Sequence, residues 1–87
     1  MATKLNEQQK MIYDDLSMPE KVAILLIQLG EDATTLLFSH MEVDVITEIS
    51  RYIATAKSTD KSVAAAVLEE FYALMQSNQY MRSGGLE

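Results

Sequence analysis

Residues 17–31 start and stop like a helix, yet they are apolar on nearly every side. Ser17 suits the N-cap, and Glu20, three residues later, can complete a capping box. Pro19 fits the first turn, where its missing N–H costs nothing. Gly30 then supplies a left-handed stop. The segment therefore predicts a helix with well-defined ends.

The body of this helix carries too much apolar surface for a helix that faces water on one side. From Lys21 to Leu29 only Lys21 and Gln28 are polar, so no single stripe about 100° wide accounts for the pattern. The helix is expected to lie at the centre of the fold, covered on several sides. A domain of this size buries only about 60 to 65 % of its unfolded surface. Either an ordinary small bundle covers the helix, or a partner protein supplies part of the cover.

The composition favours one all-helical domain. The chain has 87 residues, of which 48 % are apolar and 23 % charged, with three glycines and one proline. Alternating Val, Thr or Tyr runs bounded by turns, the usual mark of strands, are missing. We predict an all-α fold, a compact bundle of five to six helices with an open apolar groove.

Helix boundaries follow from apolar periodicity and polar breaks. The first predicted helix covers 4–16, the central helix follows, and a third begins at Glu31-Asp32. A fourth begins at Glu42 or Asp44 and extends to Ala56, before a polar break at 57–60. A fifth is capped by Thr59 and ends near Asn78, and 80–82 can form one more turn. The first helix is only weakly amphipathic and is expected to be peripheral or mobile. In domain terms, 1–16 is a peripheral helix, 17–82 the helical domain and 83–87 the start of an interdomain linker.

Charge and composition argue against several partners. The formal charge is −6, the seven basic residues are spread singly, and there is no cysteine. This gives no basic footprint for nucleic acid or for an anionic membrane surface. The apolar run from Val22 to Leu29 is far short of the ~20 residues that cross a bilayer, and the first ten residues do not resemble a signal peptide. A soluble intracellular protein is expected, without membrane insertion.

The sequence predicts no enzyme, no cofactor and no metal site. His40 is the only histidine, and near a helix end it is better explained as a structural residue than as a catalytic one. The acidic pairs are sequence neighbours, which point about 100° apart on a helix and do not form an acid/base couple or a metal clamp. No glycine-rich phosphate loop is present.

Five segments together resemble one known family. They are 16–31, 39–42, 48–51, 68–72 and 83–86, and in order and spacing they are similar to the N-terminal domain of the flagellar motor switch protein FliG. The resemblance covers residues 16–86. Each segment alone is only a cap or an amphipathic helix, but five in register make chance similarity unlikely. The departures are Met18, where the family has a small residue, and Lys61 and Ser62, where it tends to be acidic.

The resemblance implies a docking function. In this family the domain binds the C-terminal cytoplasmic tail of FliF, the membrane-embedded MS-ring protein, and anchors the switch ring (C-ring) to the flagellar basal body. The implied place is the cytoplasmic face of the inner membrane, in the rotor for motility and chemotaxis, beside neighbouring FliG copies. Other domains of the full protein carry switching and torque.

A helical tail folding into an apolar groove would explain the excess of apolar surface. The groove is expected among the residues on the broadest apolar faces: Leu26, Leu29, Leu36, Leu37, Met41, Val45, Ile46, Ile49, Phe71, Leu74 and Met75. The pattern does not separate the positions buried by the chain itself from those buried by a partner.

Two alternatives stay open at this point. The first is a self-associating helical domain, in which a second copy covers the apolar surface by dimerisation or by exchange of the first helix. The second is an acyl-carrier-like protein, since those are also small, acidic and helical and carry a modified serine at a helix start. Ser17 would be that serine, but Leu16 separates it from the preceding acidic residue, and Pro19 and Glu20 explain it as a helix cap.

Overall fold

Six helices make up residues 4–80, the part of the chain that the computed structural model describes. They are α1 (Glu7–Asp15), α2 (Met18–Leu29), α3 (Glu31–Phe38), α4 (Val43–Arg51), α5 (Ile53–Ala56) and α6 (Lys61–Tyr80). Within these residues the all-α prediction is confirmed. The predicted turn at 80–82 and the linker at 83–87 lie, apart from Tyr80, outside the described residues.

The two ends of α2 form as the sequence predicts. The Ser17 hydroxyl accepts a hydrogen bond from the backbone N–H of Glu20, and the Glu20 carboxylate accepts one from the N–H of Ser17 at 2.7 Å. Pro19 lies in the first turn. Gly30 ends the helix with a φ of 97°, and its N–H donates to the carbonyl of Leu26. The capping box and the glycine stop are both confirmed.

Helix α2 lies at the centre of the fold. It contacts α3, α4, α5 and α6, and its residues 23–26 are all buried. The buried core residues lie on α2 and on the sides of α4, α5 and α6 that face it: Ala23, Ile24, Leu25, Leu26, Ile49, Ala56, Val63 and Val67. The prediction of a central helix covered on several sides is therefore confirmed.

Two local predictions are wrong. The fourth predicted helix is split, because the N–H of Tyr52 donates to the carbonyl of Ile49, three residues back, and this tighter turn separates α4 from α5. The bend allows Ala56 to reach the core beside α2. The cap of α6 is Asp60, whose carboxylate accepts hydrogen bonds from the N–H groups of residues 62 and 63 at 2.8 and 3.3 Å. Thr59 was the predicted cap, but the helix begins one residue later.

Helix α1 lies against α6 and has no fully buried residue. Its contribution to the core is limited to Tyr13, with Leu16 just after the helix. An Asn6–Gln9 capping box begins α1 in the same way that Ser17 and Glu20 begin α2. The fourth helix starts after Glu42, which makes no side-chain cap hydrogen bond.

Candidate functional site

One apolar row of α2 is only partly covered by the other helices. Met18, Val22, Leu25 and Leu29 follow one another at intervals of four, three and four residues, which places them in one row along the helix. Met18 is 65 % exposed and Leu29 is exposed, whereas Val22 is half-buried and Leu25 is buried. Since α4 and α6 both contact α2, Met18, Val22 and Leu25 lie between two helical walls, while Leu29 lies beyond the depressions that these walls form.

Two depressions flank the row. The α2–α6 depression, about 70 Å³, is lined by Met18, Lys21, Val22, Leu25, Val67, Glu70, Phe71 and Leu74. The α2–α4 depression is wider and more open, about 510 Å³, and is lined by Met18, Pro19, Val22, Asp44, Val45, Glu48 and Ile49. Met18 and Val22 line both depressions. We call the two depressions and this shared ridge the apolar groove.

The α6 wall of the groove changes from buried to exposed along its length. Val63 is 0 % and Val67 4 % exposed, Phe71 is half-buried, and Leu74 is 55 % exposed. The spacing of four, four and three residues puts all of them on one side of the helix. Residues 72–77 are all exposed. The apolar side of α6 thus continues past the end of the core, and at Leu74 nothing in the described chain covers it.

The structure brings together only part of the predicted groove set. Val45, Ile49, Phe71 and Leu74 line the apolar groove. Leu26 does not, because it is 1 % exposed and belongs to the core. The remaining predicted residues lie outside the two depressions: Ile46 is half-buried, Leu37 and Met41 pack against the core, and Leu29, Leu36 and Met75 are exposed.

Sequence reasoning missed Met18 and Val22, which divide the groove. Their signal is the four-residue spacing that places them in a row with Leu25 and Leu29. Because α2 is apolar nearly all round, that row does not stand out from the core-facing rows. Only the positions of α4 and α6 show which row stays open.

A polar cluster forms one edge of the α2–α6 depression. The Tyr13 hydroxyl donates a hydrogen bond to Oε1 of Glu70, and Nζ of Lys21 lies 3.0 Å from the same oxygen. Nζ also lies 4.7 Å from the centre of the Tyr13 ring, a cation–π distance. These three residues come from α1, α2 and α6.

The cluster shifts the titration of both of its acids. The hydrogen bond from Tyr13, followed by the contact with Lys21, lowers the pKa of the Glu70 carboxyl. Burial, followed by the hydrogen bond to Glu70, raises the pKa of Tyr13 to about 12. Both shifts favour the state with a neutral tyrosine and an ionised glutamate.

The opposite edge of the groove is acidic. Asp44 and Glu48 line the α2–α4 depression, and Glu48 makes an exposed ion pair with Arg51 at 3.8 Å. His40 is exposed in the turn after α3, where its backbone N–H donates a hydrogen bond to the carbonyl of Leu37. Over the described residues no three acidic or histidine side chains are grouped as a metal site would require. Most of the side chains that line the groove are apolar.

None of the helices described between residues 4 and 80 has the length and apolar character needed to cross a membrane.

Known proteins with similar sequences come from flagellar motors. The chain is 59 % identical over 87 residues to the flagellar motor switch protein FliG of Helicobacter pylori, covering 100 % of this chain and 25 % of that protein. It is 30 % identical over 73 residues to FliG of Bacillus subtilis, covering 84 % of the chain and 22 % of the relative. The chain thus spans about a quarter of the length of these relatives.

A solved structure has a similar fold. The crystal structure of a FliF–FliG complex from H. pylori matches with a TM-score of 0.79 and 57 % identity, over 91 % of this chain and 75 % of that one. The family model of the FliG N-terminal domain matches residues 15–87. Since that match covers nearly the whole sequence, as does the likeness to the H. pylori protein, the chain belongs to the FliG N-terminal domain family.

Proposed function

We propose that this domain binds the C-terminal cytoplasmic tail of FliF in the apolar groove. The observation that carries the proposal is the pair of apolar depressions that α2 forms with α4 and α6, divided by Met18 and Val22, in a chain whose family includes a protein solved in complex with FliF. A binding domain of this kind needs no catalytic group and no cofactor. The acyl-carrier alternative is dropped, because the chain belongs to another family and Ser17 is occupied as the cap of α2.

The fit is that of an amphipathic helix lying along the groove. Apolar side chains three or four residues apart on the tail would enter the depressions on either side of the ridge formed by Met18 and Val22. Burying roughly 1,000 Å² at ~25 cal/mol per Å² gives a gross gain on the order of 25 kcal/mol, and ordering the tail removes most of it. The acidic edge at Asp44 and Glu48 favours a basic flank on the tail.

The proposed biological role is an anchor. Residues 17–82 would form the docking domain, 1–16 a peripheral helix and 83–87 the start of a linker toward the rest of a switch protein. Docking to FliF would hold the switch ring on the cytoplasmic face of the basal body at the inner membrane. Neighbouring copies would contact one another in the ring.

Calorimetric titration with a synthetic FliF tail peptide tests the proposal, together with circular dichroism of each component and of the mixture. We expect saturable binding, a negative heat-capacity change, and more helix in the mixture than in the sum of its parts. Absence of heat with additive spectra, from a folded monomeric domain, would contradict docking by this domain alone.

Substitutions of exposed groove residues can map the FliF-binding surface without disturbing the core. Leu74→Asp should weaken binding by at least about 30-fold, because it places a charge where the tail buries an apolar side chain. Met11→Asp is the matched control: Met11 is 72 % exposed on α1 and lines neither depression. Leu36→Asp tests the exposed residue predicted from sequence on α3. Loss of binding in that variant, with Leu74→Asp unaffected, would move the site to α3.

Self-association remains the competing proposal, because the same uncovered surface can be buried by a second copy. Sedimentation at several concentrations separates the two. A dimer that dissociates on adding the tail would show that both partners use the groove. A dimer that the tail does not change, combined with no binding heat, would make self-association the function.

A further inference from the structure

Side-chain hydrogen bonds join α1 to α6 near both ends of α1. Near its start, Nε2 of Gln9 donates to Oδ1 of Asp60 at 3.2 Å. Near its end, the Tyr13 hydroxyl donates to Glu70. Asp60 belongs to the cap of α6 and lines neither depression, whereas Glu70 lines the α2–α6 depression. Through Tyr13, α1 reaches the groove edge that Glu70 and Lys21 form.

Glu70 and Lys21 form that edge of the groove from two different helices. Their side chains are 35 % and 21 % exposed, so water reaches both. An ion pair between long, partly exposed side chains gains little by itself, because holding both in one geometry costs rotamer entropy. Here the Tyr13 hydroxyl holds the carboxylate and the Tyr13 ring lies against the ammonium group. One residue of α1 therefore restrains both members of the pair.

We propose that Tyr13 is a positioning residue for docking: it fixes the Lys21–Glu70 pair as the rigid edge of the α2–α6 depression and raises affinity without contacting the partner. This inference rests on the proposed docking in the groove. An edge that is ordered before the partner arrives loses less freedom when the complex forms. Because the Glu70 carboxylate is already paired with Lys21 beside the α2–α6 depression, forming the complex does not bury an unpaired charge there. Helix α1 thereby acts as part of the docking domain.

Tyr13→Phe tests the proposal, since phenylalanine keeps the ring over Lys21 and removes only the hydroxyl. Titration with the FliF tail peptide should show about fivefold weaker binding, the size expected for losing one hydrogen bond, with most of the change in the dissociation rate. Glu70→Gln should weaken binding by a similar factor. In the double variant the losses should not multiply, because both changes disable the same edge.

Gln9→Ala is the matched control. It removes the contact with Asp60 and one half of the α1 capping box, so it loosens α1 without touching Glu70. A general structural role of α1 would weaken binding in this variant as much as in Tyr13→Phe, whereas the proposal expects an unchanged dissociation constant. Circular dichroism confirms that each variant is folded at the titration temperature.

Three results would overturn the inference. They are unchanged binding by a folded Tyr13→Phe variant, equal losses in Tyr13→Phe and Gln9→Ala, or independent losses for Tyr13→Phe and Glu70→Gln. In each of these the wild-type domain still binds the tail, so the proposed function stands. If the wild-type domain does not bind, the proposed function and this inference both fall.

Discussion

At the scale of single residues, Gly30 sets the angle between α2 and α3 through its backbone alone. Its φ of 97° lies in a region that side chains disfavour, and a Cβ there would meet nothing within 4 Å. Gly30→Ala should therefore lower the free energy of unfolding by about 1 to 3 kcal/mol from backbone strain without a clash. Urea unfolding followed by circular dichroism measures the loss.

Thr35→Ala on the exposed side of α3 is the control for Gly30→Ala and should change the free energy of unfolding by less than about 0.5 kcal/mol. Equal effects of the two substitutions on the free energy of unfolding would mean that the positive φ of Gly30 causes no strain in the alanine variant.

Residue-scale features could be predicted wherever their cause is local in sequence. The Ser17 cap depends on a residue three positions away and Gly30 on its own dihedral angles, and both were predictable. The partial exposure of Val22 was not predictable, because its contrast with the fully buried Leu26 depends on α4 and α6, more than twenty residues away. The Asp60 cap was not predictable, because Ser58, Thr59 and Asp60 are all suitable cap residues and the sequence does not show after which of them the helix begins.

At the scale of helices, α1 and α2 begin with the same kind of capping box but differ in burial. Ser17→Ala should cost about 1 kcal/mol of global stability, because α2 opens only when the core opens. Asn6→Ala should instead fray α1 and leave the global unfolding transition nearly unchanged, since α1 has no fully buried residue. Native-state hydrogen exchange of the amides in each helix, with urea midpoints, distinguishes local from global effects.

Equal global losses in Ser17→Ala and Asn6→Ala would show that α1 unfolds together with the core.

Helix types and most helix ends were predictable from periodicity, but the break between α4 and α5 was not. At Tyr52 neither a proline nor a glycine marks the turn, and the bend is fixed by the packing of Ile53 and Ala56 against the buried cluster around α2.

At the scale of the whole domain, the contact between α1, α2 and α6 makes stability depend on pH at both extremes. Because the folded state lowers the pKa of Glu70, its stabilisation is present above the ordinary value of 4.5 and is lost as the pH falls below it through the folded pKa. Because the folded state raises the pKa of Tyr13, its stabilisation is present below 10.0 and is lost as the pH rises from there to about 12.

Urea unfolding of the wild type, Glu70→Gln and Tyr13→Phe across this range separates the two groups. The advantage of the wild type over Glu70→Gln should be constant between pH 6 and 9 and should shrink below the ordinary glutamate value of 4.5. Its advantage over Tyr13→Phe should shrink above pH 10.0, as the tyrosine ionises beside a carboxylate. The stability difference between the wild type and a variant could instead stay constant, below pH 4.5 for Glu70→Gln or above pH 10.0 for Tyr13→Phe. That result would mean that the cluster stabilises the domain by packing only, and not by its hydrogen bond and charges.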